Sequence, residues 1–362
     1  MTYTGFFVRD YIGQLPDQAG SSGNWSSCPD IIFWNQQNPP MACPNPQVFT
    51  TTQGYGTDYG STVYIGQGNP IPNYIYLRAW NTNAAATPTS PVTGRAWFFY
   101  TRSDLALYPR NWKSDVISVA GNTGVNYQDI TATAVGACQP ALPYVFSPVD
   151  PQGQHYCGIS WIENQPSDPP ENPVVEYGSM GDLNGLVKFI LDHPNMGWRN
   201  TTSVRAAGPT WAYSTNVTGP TPAKPFIIGI SCSNMPTDGS IQFSIPSPGP
   251  GIPTINMPKM QIPDPNWYNG INIKNWTAGL QSSVELSYYQ GATVPPAGAD
   301  ITITMLVPRK TLSAELSDRI DREAPHLVHM LAAADEAEEL GSARLGVPPV
   351  SVIQIGAQTY QW

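Results

Sequence analysis

The 362-residue sequence is poor in charge and in histidine, and both shortages limit what the chain can do. Charged residues make up 12% of it, about half the usual share. Binding to phosphate backbones requires a basic stripe, and since none is visible, nucleic acid is a poor partner. Only four histidines are present, although histidine is the side chain most often used for acid–base catalysis near neutral pH.

Sequence motifs of enzymes and cofactor-binding proteins are missing as well. The sequence has no Gly-x-Ser-x-Gly nucleophile motif, no glycine-rich phosphate loop and no dinucleotide fingerprint. Asp and Glu concentrate in residues 311–340 rather than at strand ends, where a glycosidase cleft would form. We therefore expect a protein that is not an enzyme and that uses no cofactor.

Cysteines are too few and too scattered for a disulfide framework. The five are Cys28, Cys43, Cys138, Cys157 and Cys232. We interpret them as buried thiols. A bridge between Cys138 and Cys157 is the alternative, since these two residues could lie on adjacent strands.

Long hydrophobic runs are also absent. No apolar stretch approaches the roughly 20 residues that a membrane-spanning helix needs. Residues 1–9 lack the basic segment followed by an apolar one that an ordinary signal peptide would show. We expect cytoplasmic synthesis without such a peptide, and release by a non-classical route stays open.

Aromatic and turn-forming residues are abundant. The chain has 11 Trp, 18 Tyr and 10 Phe, enough large apolar surface for a core, and its 32 Gly and 38 Pro recur between short apolar stretches. From about residue 60 this pattern predicts short strands, as in antiparallel sandwiches or barrels. The expected fold class is all-β, with two immunoglobulin-like antiparallel β-sandwich domains and a helical insertion in the second.

A proline-rich break separates the two halves of the chain. Four prolines fall within residues 164–173, where they exclude a central strand. Apolar residues between 183 and 191 then follow at helical spacing. We assign residues 1–165 to an N-terminal sandwich, 166–199 to a linker with a short helix, and 200–362 to a C-terminal sandwich.

Residues 311–346 are predicted to form a helical insertion before the final strand. Residues 311–340 contain eight Asp or Glu, two Arg and neither glycine nor an aromatic residue. An apolar stripe recurs there at fours and sevens, and it needs a surface to cover it. We predict that this stripe binds a partner, another copy or the chain's own sandwich through Leu316, Ile320, Leu327 and Leu331.

Two histidine patterns could hold a metal ion, and for both we favour an ordinary structural interpretation. His155 and Cys157 project to one face of a predicted strand and would need His193 and a carboxylate to converge there. His326 and His329 have an i, i+3 spacing on a predicted helix but lack a third ligand. A histidine packed beside a core cysteine and a solvated helix face explain these patterns, so no metal is expected.

Four aromatic residues in or beside predicted turns are candidate contacts for a carbohydrate or a protein, because their rings can stack on sugars or anchor a partner. They are Trp211, Trp267, Tyr268 and Trp276. The alternative is that they fill the ends of the sandwich.

Several stretches resemble immunoglobulin-like sandwich modules of the CARDB-like type, which occur beside bacterial peptidases and in stand-alone bacterial proteins. The order of the stretches carries the resemblance: Val-Arg-Asp at 8–10, Asn-Trp-Ser-Ser-Cys-Pro-Asp-Ile at 24–31, Asn-Tyr-Ile-Tyr-Leu-Arg at 73–78, Trp112, Gln-His-Tyr-Cys at 154–157 and Asn-Met-Gly-Trp-Arg-Asn at 195–200. The insertion at 311–346 departs from that pattern. The resemblance implies binding, spacing or assembly rather than catalysis.

These features favour a structural component that binds another protein or further copies of itself. A carbohydrate-binding lectin or adhesin is the first alternative, and it requires the turn aromatics to be exposed. A toxin or membrane-active protein with releasable helices is the second, although an acidic helix is poorly suited to anionic lipid.

Overall fold

The structure of the chain is a computed structural model, and the residues it describes are 3–10, 14, 28–34, 62–63, 69–102, 104–149, 156–170, 172–203, 210–246, 249–250, 253–274, 276–323, 328–331 and 350–362. The chain divides into two compact units. The first comprises residues 1–101, 108–180 and 189–204, and the second comprises residues 102–107, 181–188 and 205–362.

The first unit is built from short strands in mostly antiparallel sheets. Its strands are β1 Phe6–Phe7, β2 Ile31–Trp34, β3 Thr62–Val63, β4 Asn73–Leu77, β5 Ala79–Asn81, β6 Val92–Arg102, β7 Ile117–Val119, β8 Tyr127–Ala132, β9 Gly136–Cys138, β10 Tyr144–Phe146, β11 Tyr156–Glu163, β12 Met196–Asn200 and β13 Thr202–Ser203. Antiparallel sheets have the orders β1-β5-β9, β2-β4-β10-β7 and β12-β11-β6-β8, and β3 pairs with β13 in parallel.

Buried aromatic rings fill the core of the first unit. Phe98, Tyr100, Tyr144, Phe146 and Tyr156 pack with ring centroids 5.3–6.4 Å apart. Aromatic pairs at these distances stabilise a core beyond their area alone. The period-two alternation of the strands directs these rings inward, because successive side chains point to opposite faces.

The second unit is a two-sheet sandwich. Its strands are β14 Thr210–Thr218, β15 Phe226–Ser233, β16 Ser240–Ile245, β17 Ile255–Gln261, β18 Tyr268–Ile273, β19 Gln281–Tyr289, β20 Asp300–Pro308, β21 Val328–Leu331 and β22 Val350–Gln361. One sheet has the order β14-β19-β16-β17 and the other the order β18-β15-β20-β22-β21, and the strand pairs in both are antiparallel.

Contacts between β14 and β22 show that these two sheets face each other. The Tyr213 and Tyr360 rings stack with centroids 4.9 Å apart. The Thr215 hydroxyl donates to Gln358 Oε1 at 2.7 Å, and both side chains are buried. Hydrogen bonding of this kind removes the penalty of burying polar groups between sheets. The structure therefore confirms the all-β fold class and is consistent with a sandwich fold.

Three α-helices and two 3-10 helices complete the described chain. The α-helices are α1 Pro173–Glu176, α2 Leu183–Asp192 and α3 Ala314–Glu323, and the 3-10 helices span Pro109–Asn111 and Arg309–Thr311. The Asn172 side chain caps α1 by accepting from the Val174 amide at 2.9 Å. The short helix predicted after the proline-rich break is α2; its residues up to Lys188 belong to the second unit, and those from Phe189 belong to the first. In the described chain no helix has the length and apolar character to cross a bilayer.

Two expected segments differ in the structure. The end of the predicted linker at 166–199 overlaps β12, which pairs with β11 and so belongs to the first unit. Within the predicted helical insertion at 311–346, the helix α3 ends at Glu323, and residues 328–331 form β21. This short apolar segment extends the sheet, because backbone pairing with β22 satisfies its amides and carbonyls.

Candidate functional site

The described members of the predicted apolar stripe lie in two elements, the helix α3 and the strand β21. Leu316 and Ile320 lie in α3 and are 6% and 0% exposed. Leu331 lies in β21 opposite Val350, and Leu327 lies outside the described residues. Since α3 buries both of its stripe residues against its own chain, these two side chains are not presented to a partner.

Truncating Leu316 to alanine tests whether the stripe packs internally. We expect the free energy of unfolding to fall by about 2 kcal/mol, because the substitution removes buried methyl groups and leaves a cavity that the surrounding side chains fill only in part. Thermal unfolding should show the same fall at two protein concentrations. Val294→Ala, at an exposed side chain, is the matched control and should change stability by less than about 0.5 kcal/mol. An unchanged midpoint with a smaller particle mass would instead make the stripe an interface between copies.

The predicted aromatic contacts are only partly accessible. Trp211 and Trp276 are buried, which excludes them as exposed platforms for a sugar. The Trp276 indole donates to the Leu280 carbonyl at 2.9 Å, so this residue serves the core of the second unit. Trp267 is half-buried, and Tyr268 is 41% exposed. The accessible part of the predicted set is thus the Trp267–Tyr268 pair.

Of the four histidines in the predicted metal patterns, His193 is the one whose side chain the structure describes. The His193 ring packs against Trp161, Tyr177 and Phe189, with centroids 4.4–5.1 Å away. His155 and His326 lie outside the described residues, and His329 lies on the strand β21 rather than on the predicted helix. In the described part of the chain, no three His, Cys, Asp or Glu residues lie together as metal ligands would.

The four described cysteines are free thiols, and the alternative disulfide between Cys138 and Cys157 does not form. The Cys138 thiol donates to the Ala79 carbonyl at 3.6 Å, and the Cys157 thiol donates to Asn200 Oδ1 at 3.0 Å. Burial raises the pKa of Cys138 and of Cys232 to about 12. These two thiols therefore stay protonated at neutral pH, and the protonated form is a poor nucleophile.

A buried group of charges lies in the first unit. Arg9 Nη2 is 2.6 Å from Asp30 Oδ1, and Arg78 Nη2 is 3.7 Å from the same oxygen. Burial, together with the negative charge of Asp30, raises the pKa of Asp10 to about 7, although a hydrogen bond from Gln14 opposes this shift. Burial lowers the pKa of Arg199. Because opposite charges face each other here, the group is best explained as a structural contact.

The open sheet edges of the second unit differ in how they are protected. Edge strands are usually covered or carry proline or charge, since an open edge pairs readily with another chain. Strand β17 carries Pro258 and Lys259. Strand β14 is covered at Asn216, whose carbonyl accepts from the Leu105 amide at 2.9 Å. The remaining edge strands, β18 and β21, contain neither proline nor formal charge. Residues on both sides of β21 lie outside the described ranges, whereas β18 among the described residues pairs with β15 alone.

The register of β18 shows which backbone groups face outward. The Cys232 amide donates to the Trp267 carbonyl at 2.7 Å, and residues 226–231 pair with 268–273 in the same register. Hydrogen-bonding direction alternates along an antiparallel strand. Every second residue of β18 therefore bonds to β15, and the others direct their amides and carbonyls away from the sheet. The outward-facing residues are Tyr268, Gly270 and Asn272.

One outward amide has a local acceptor. The Gly270 N–H donates to Oδ1 of its neighbour Asn269 at 2.8 Å, which agrees with its pointing away from β15. A strand added at this edge would take over that donor and release the Asn269 side chain to solvent. Among the described residues, no other strand pairs with the outward-facing groups of β18.

Tyr268 adds an aromatic ring but no charge to the edge. Its hydroxyl end lies over Gly229 of β15, where an added Cβ would collide with the Tyr268 and Thr304 hydroxyl groups. Burial raises the pKa of Tyr268 to about 12, so its hydroxyl stays protonated at neutral pH. The edge therefore combines outward backbone groups with one exposed aromatic ring and no formal charge.

Fold and edge define an all-β sandwich protein, and comparison with known proteins assigns no family. No family model and no curated protein matches the chain. Similar solved structures include the secreted serine protease VesC from Vibrio cholerae, with 7% identity, a TM-score of 0.21, and coverage of 65% of this chain and 46% of that one.

Two adhesins are similarly distant. The collagen adhesin of S. aureus has 6% identity and a TM-score of 0.19, covering 68% of this chain and 83% of its own. The CupB6 tip adhesin of Pseudomonas aeruginosa has 7% identity and a TM-score of 0.16, covering 76% of this chain and 92% of its own. Similarities at these TM-scores carry no argument about function, so the argument rests on the edge itself.

Sequence reasoning identified Tyr268 but not the role of its strand. The sequence predicts that the Tyr268 ring contacts a sugar or a protein, but no local pattern points to the backbone of Gly270 and Asn272. Sheet order depends on pairing between distant segments, and no local pattern reports which strand is last. The available signal was the lack of proline and charge in Tyr-Asn-Gly-Ile-Asn-Ile at 268–273.

Proposed function

We propose that this chain is a non-enzymatic β-sandwich protein that works by protein–protein contact, as a structural or assembly component. The observation that supports the proposal is the uncharged edge of β18, where every second residue directs its backbone groups outward. Such an edge binds an extended segment as an added strand. Backbone hydrogen bonds then supply affinity, and alternate side chains supply specificity.

The size of the edge favours repeated, moderate contacts over a single tight one. Six residues of strand extend roughly 20 Å. Each backbone hydrogen bond gained there contributes only about 0.5–1.5 kcal/mol net, because both groups leave water to form it. Contacts of this strength suit an assembly, in which many copies of one contact act together. The same proposal includes the immunoglobulin-like, CARDB-like character of the sandwiches, since that resemblance implies spacing and assembly.

Peptide selection on the whole chain tests this function. From a displayed library of seven-residue peptides we expect enrichment of uncharged, β-branched and aromatic sequences. Asn272→Pro should weaken their binding by at least about tenfold. Proline removes an outward amide that β15 does not use, so the melting temperature should be unchanged. Asn272→Ala keeps the amide and should bind like the wild type. Equal binding by the proline variant, or no enriched peptide from a chain that is monomeric, would contradict the proposal.

Carbohydrate binding is the second candidate, and the accessible Trp267–Tyr268 pair favours it. A ring at the surface can stack on a sugar without any backbone contribution. On a glycan array, Tyr268→Ala should then abolish binding while Asn272→Pro leaves it intact. If the edge binds a strand instead, Asn272→Pro should weaken peptide binding, because it removes a backbone amide that the added strand uses. The two variants therefore separate the two functions.

A further inference from the structure

We propose that the segment occupying this edge is β18 of a second copy of the chain, paired antiparallel across a two-fold axis at Ile271. The inference rests on the proposed function and names the partner that the edge selects. Two five-stranded sheets, one from each copy, would then form one continuous sheet. Contacts of this kind are isologous, because the same surface is used on both sides.

Backbone geometry restricts how two copies of β18 can pair. In an antiparallel ladder, residues that exchange hydrogen bonds lie directly opposite each other. The outward-facing residues of one copy must therefore face the outward-facing residues of the other. Since those residues alternate along the strand, the two-fold axis passes through a residue rather than between two. Gly270 and Ile271 are the two central positions that satisfy this condition.

Side chains favour the axis at Ile271. There, Gly270 of each copy faces Asn272 of the other, and the two Ile271 side chains form a pair without hydrogen bonds between them. Cα atoms in such a pair are only about 4.5 Å apart, so β-branched side chains touch. Ile271 is half-buried within its own chain, and this contact would cover the rest of it. An axis at Gly270 would instead place two residues without side chains opposite each other.

Charge and hydrogen-bonding capacity favour a second copy as the occupant. The chain carries a net charge of −9, so two copies repel each other, and a neutral contact surface adds least to that repulsion. Strand β18 has no formal charge, and it offers as many outward donors as a second β18 has acceptors. Strand β17 of another copy is a poorer partner, because Pro258 lacks an amide hydrogen and Lys259 adds a charge.

Sedimentation equilibrium of the full chain tests self-pairing. The wild type should show a concentration-dependent mass that approaches twice that of the monomer. Asn272→Pro should raise the dimer dissociation constant by at least about tenfold, because two symmetric hydrogen bonds are lost. Asn272→Ala should stay within about twofold of the wild type, since the backbone amide remains. A wild type that is monomeric at every concentration would overturn the inference.

Cysteine crosslinking tests the register. With the two-fold axis at residue 271, Ile271→Cys places the new thiols of the two copies opposite each other, and mild oxidation should give a covalent dimer. Asn269→Cys is the matched control, because residue 269 never faces itself when the axis is at residue 270 or 271. The wild type measures background from native cysteines, of which Cys138 and Cys232 have their pKa raised to about 12 by burial. A dimer that Ile271→Cys does not crosslink would overturn the proposed register.

The combined outcomes separate this inference from the proposed function. A monomer that still selects peptides through β18 would overturn self-pairing and leave protein binding at the edge supported. A dimer that is insensitive to Asn272→Pro, in a chain that selects no peptides, would overturn both.

Discussion

Replacing Asp30 with alanine is expected to lower the free energy of unfolding of the first unit by about 3–5 kcal/mol. Asp30 is 1% exposed, and it accepts hydrogen bonds from the Arg9 amide at 2.9 Å and from the Arg9 guanidinium at 2.6 and 3.1 Å. The buried Arg78 guanidinium is 3.7 Å from the same carboxylate. Removing the carboxylate leaves two interior guanidinium groups without this opposite charge, which costs far more than a surface ion pair is worth.

Native-state hydrogen exchange can localise this loss. Protection in β2 and β4, the strands nearest Asp30 in the chain and its sheet, should fall, while protection in β15 and β20 of the second unit serves as the internal reference. Asp129→Ala is the matched control, because its carboxylate is 63% exposed and 3.4 Å from Arg95. That change should cost less than about 1 kcal/mol. Equal losses in the free energy of unfolding for Asp30→Ala and Asp129→Ala would show that Asp30 does not compensate the buried charges of Arg9 and Arg78.

Local patterns in the sequence were sufficient for many strands of this fold. The short strands predicted from about residue 60 onward include β16 at 240–245, β19 at 281–289 and β20 at 300–308. Each of these segments alternates apolar and polar residues between turn-forming residues. That pattern acts over a few residues, so it can be interpreted without knowledge of the rest of the chain.

Features that depend on distant segments could not be predicted in this way. Leu327 and Leu331 continue a helical spacing, yet residues 328–331 form β21, because β22 offers them a sheet edge. Strand β17 contains Pro258, which weakens the local strand signal but is tolerated at an edge. The candidate site also depends on distant segments. The sequence points to the Tyr268 ring, but β18 is an edge strand only because of its place at the end of the sheet order.

A second large loss of stability is expected for Gly356→Ala in β22. A Cβ at this position would overlap the carbonyl oxygen of Leu105, which belongs to the same unit. Overpacking against side chains costs about 1–3 kcal/mol, and here the obstacle is backbone that cannot rotate aside. We expect a loss of more than about 3 kcal/mol in urea denaturation. Residues 104–107 would have to move, and this would break the 2.8 Å hydrogen bond from the Thr218 hydroxyl to Asp104.

Gly185→Ala in α2 is the matched control for this substitution. Its Cβ would meet only the Asp182 side chain, which is not backbone and can move. The Asp182 carboxylate accepts from the Gly185 amide at 2.7 Å, and losing this bond would cost about 1 kcal/mol, which offsets the gain of up to about 1 kcal/mol that alanine brings to a helix. Stability should therefore change by less than about 1 kcal/mol. Gly356→Ala should also uncover β14 at Asn216 and so create a second open edge in the sandwich. The variant should then form assemblies larger than a dimer through its two open edges, and adding Asn272→Pro should reduce these to pairs formed through the new edge alone, because the new edge does not use β18. A Gly356→Ala chain as stable as the wild type, with unchanged mass, would show that Leu105 is not held against β22.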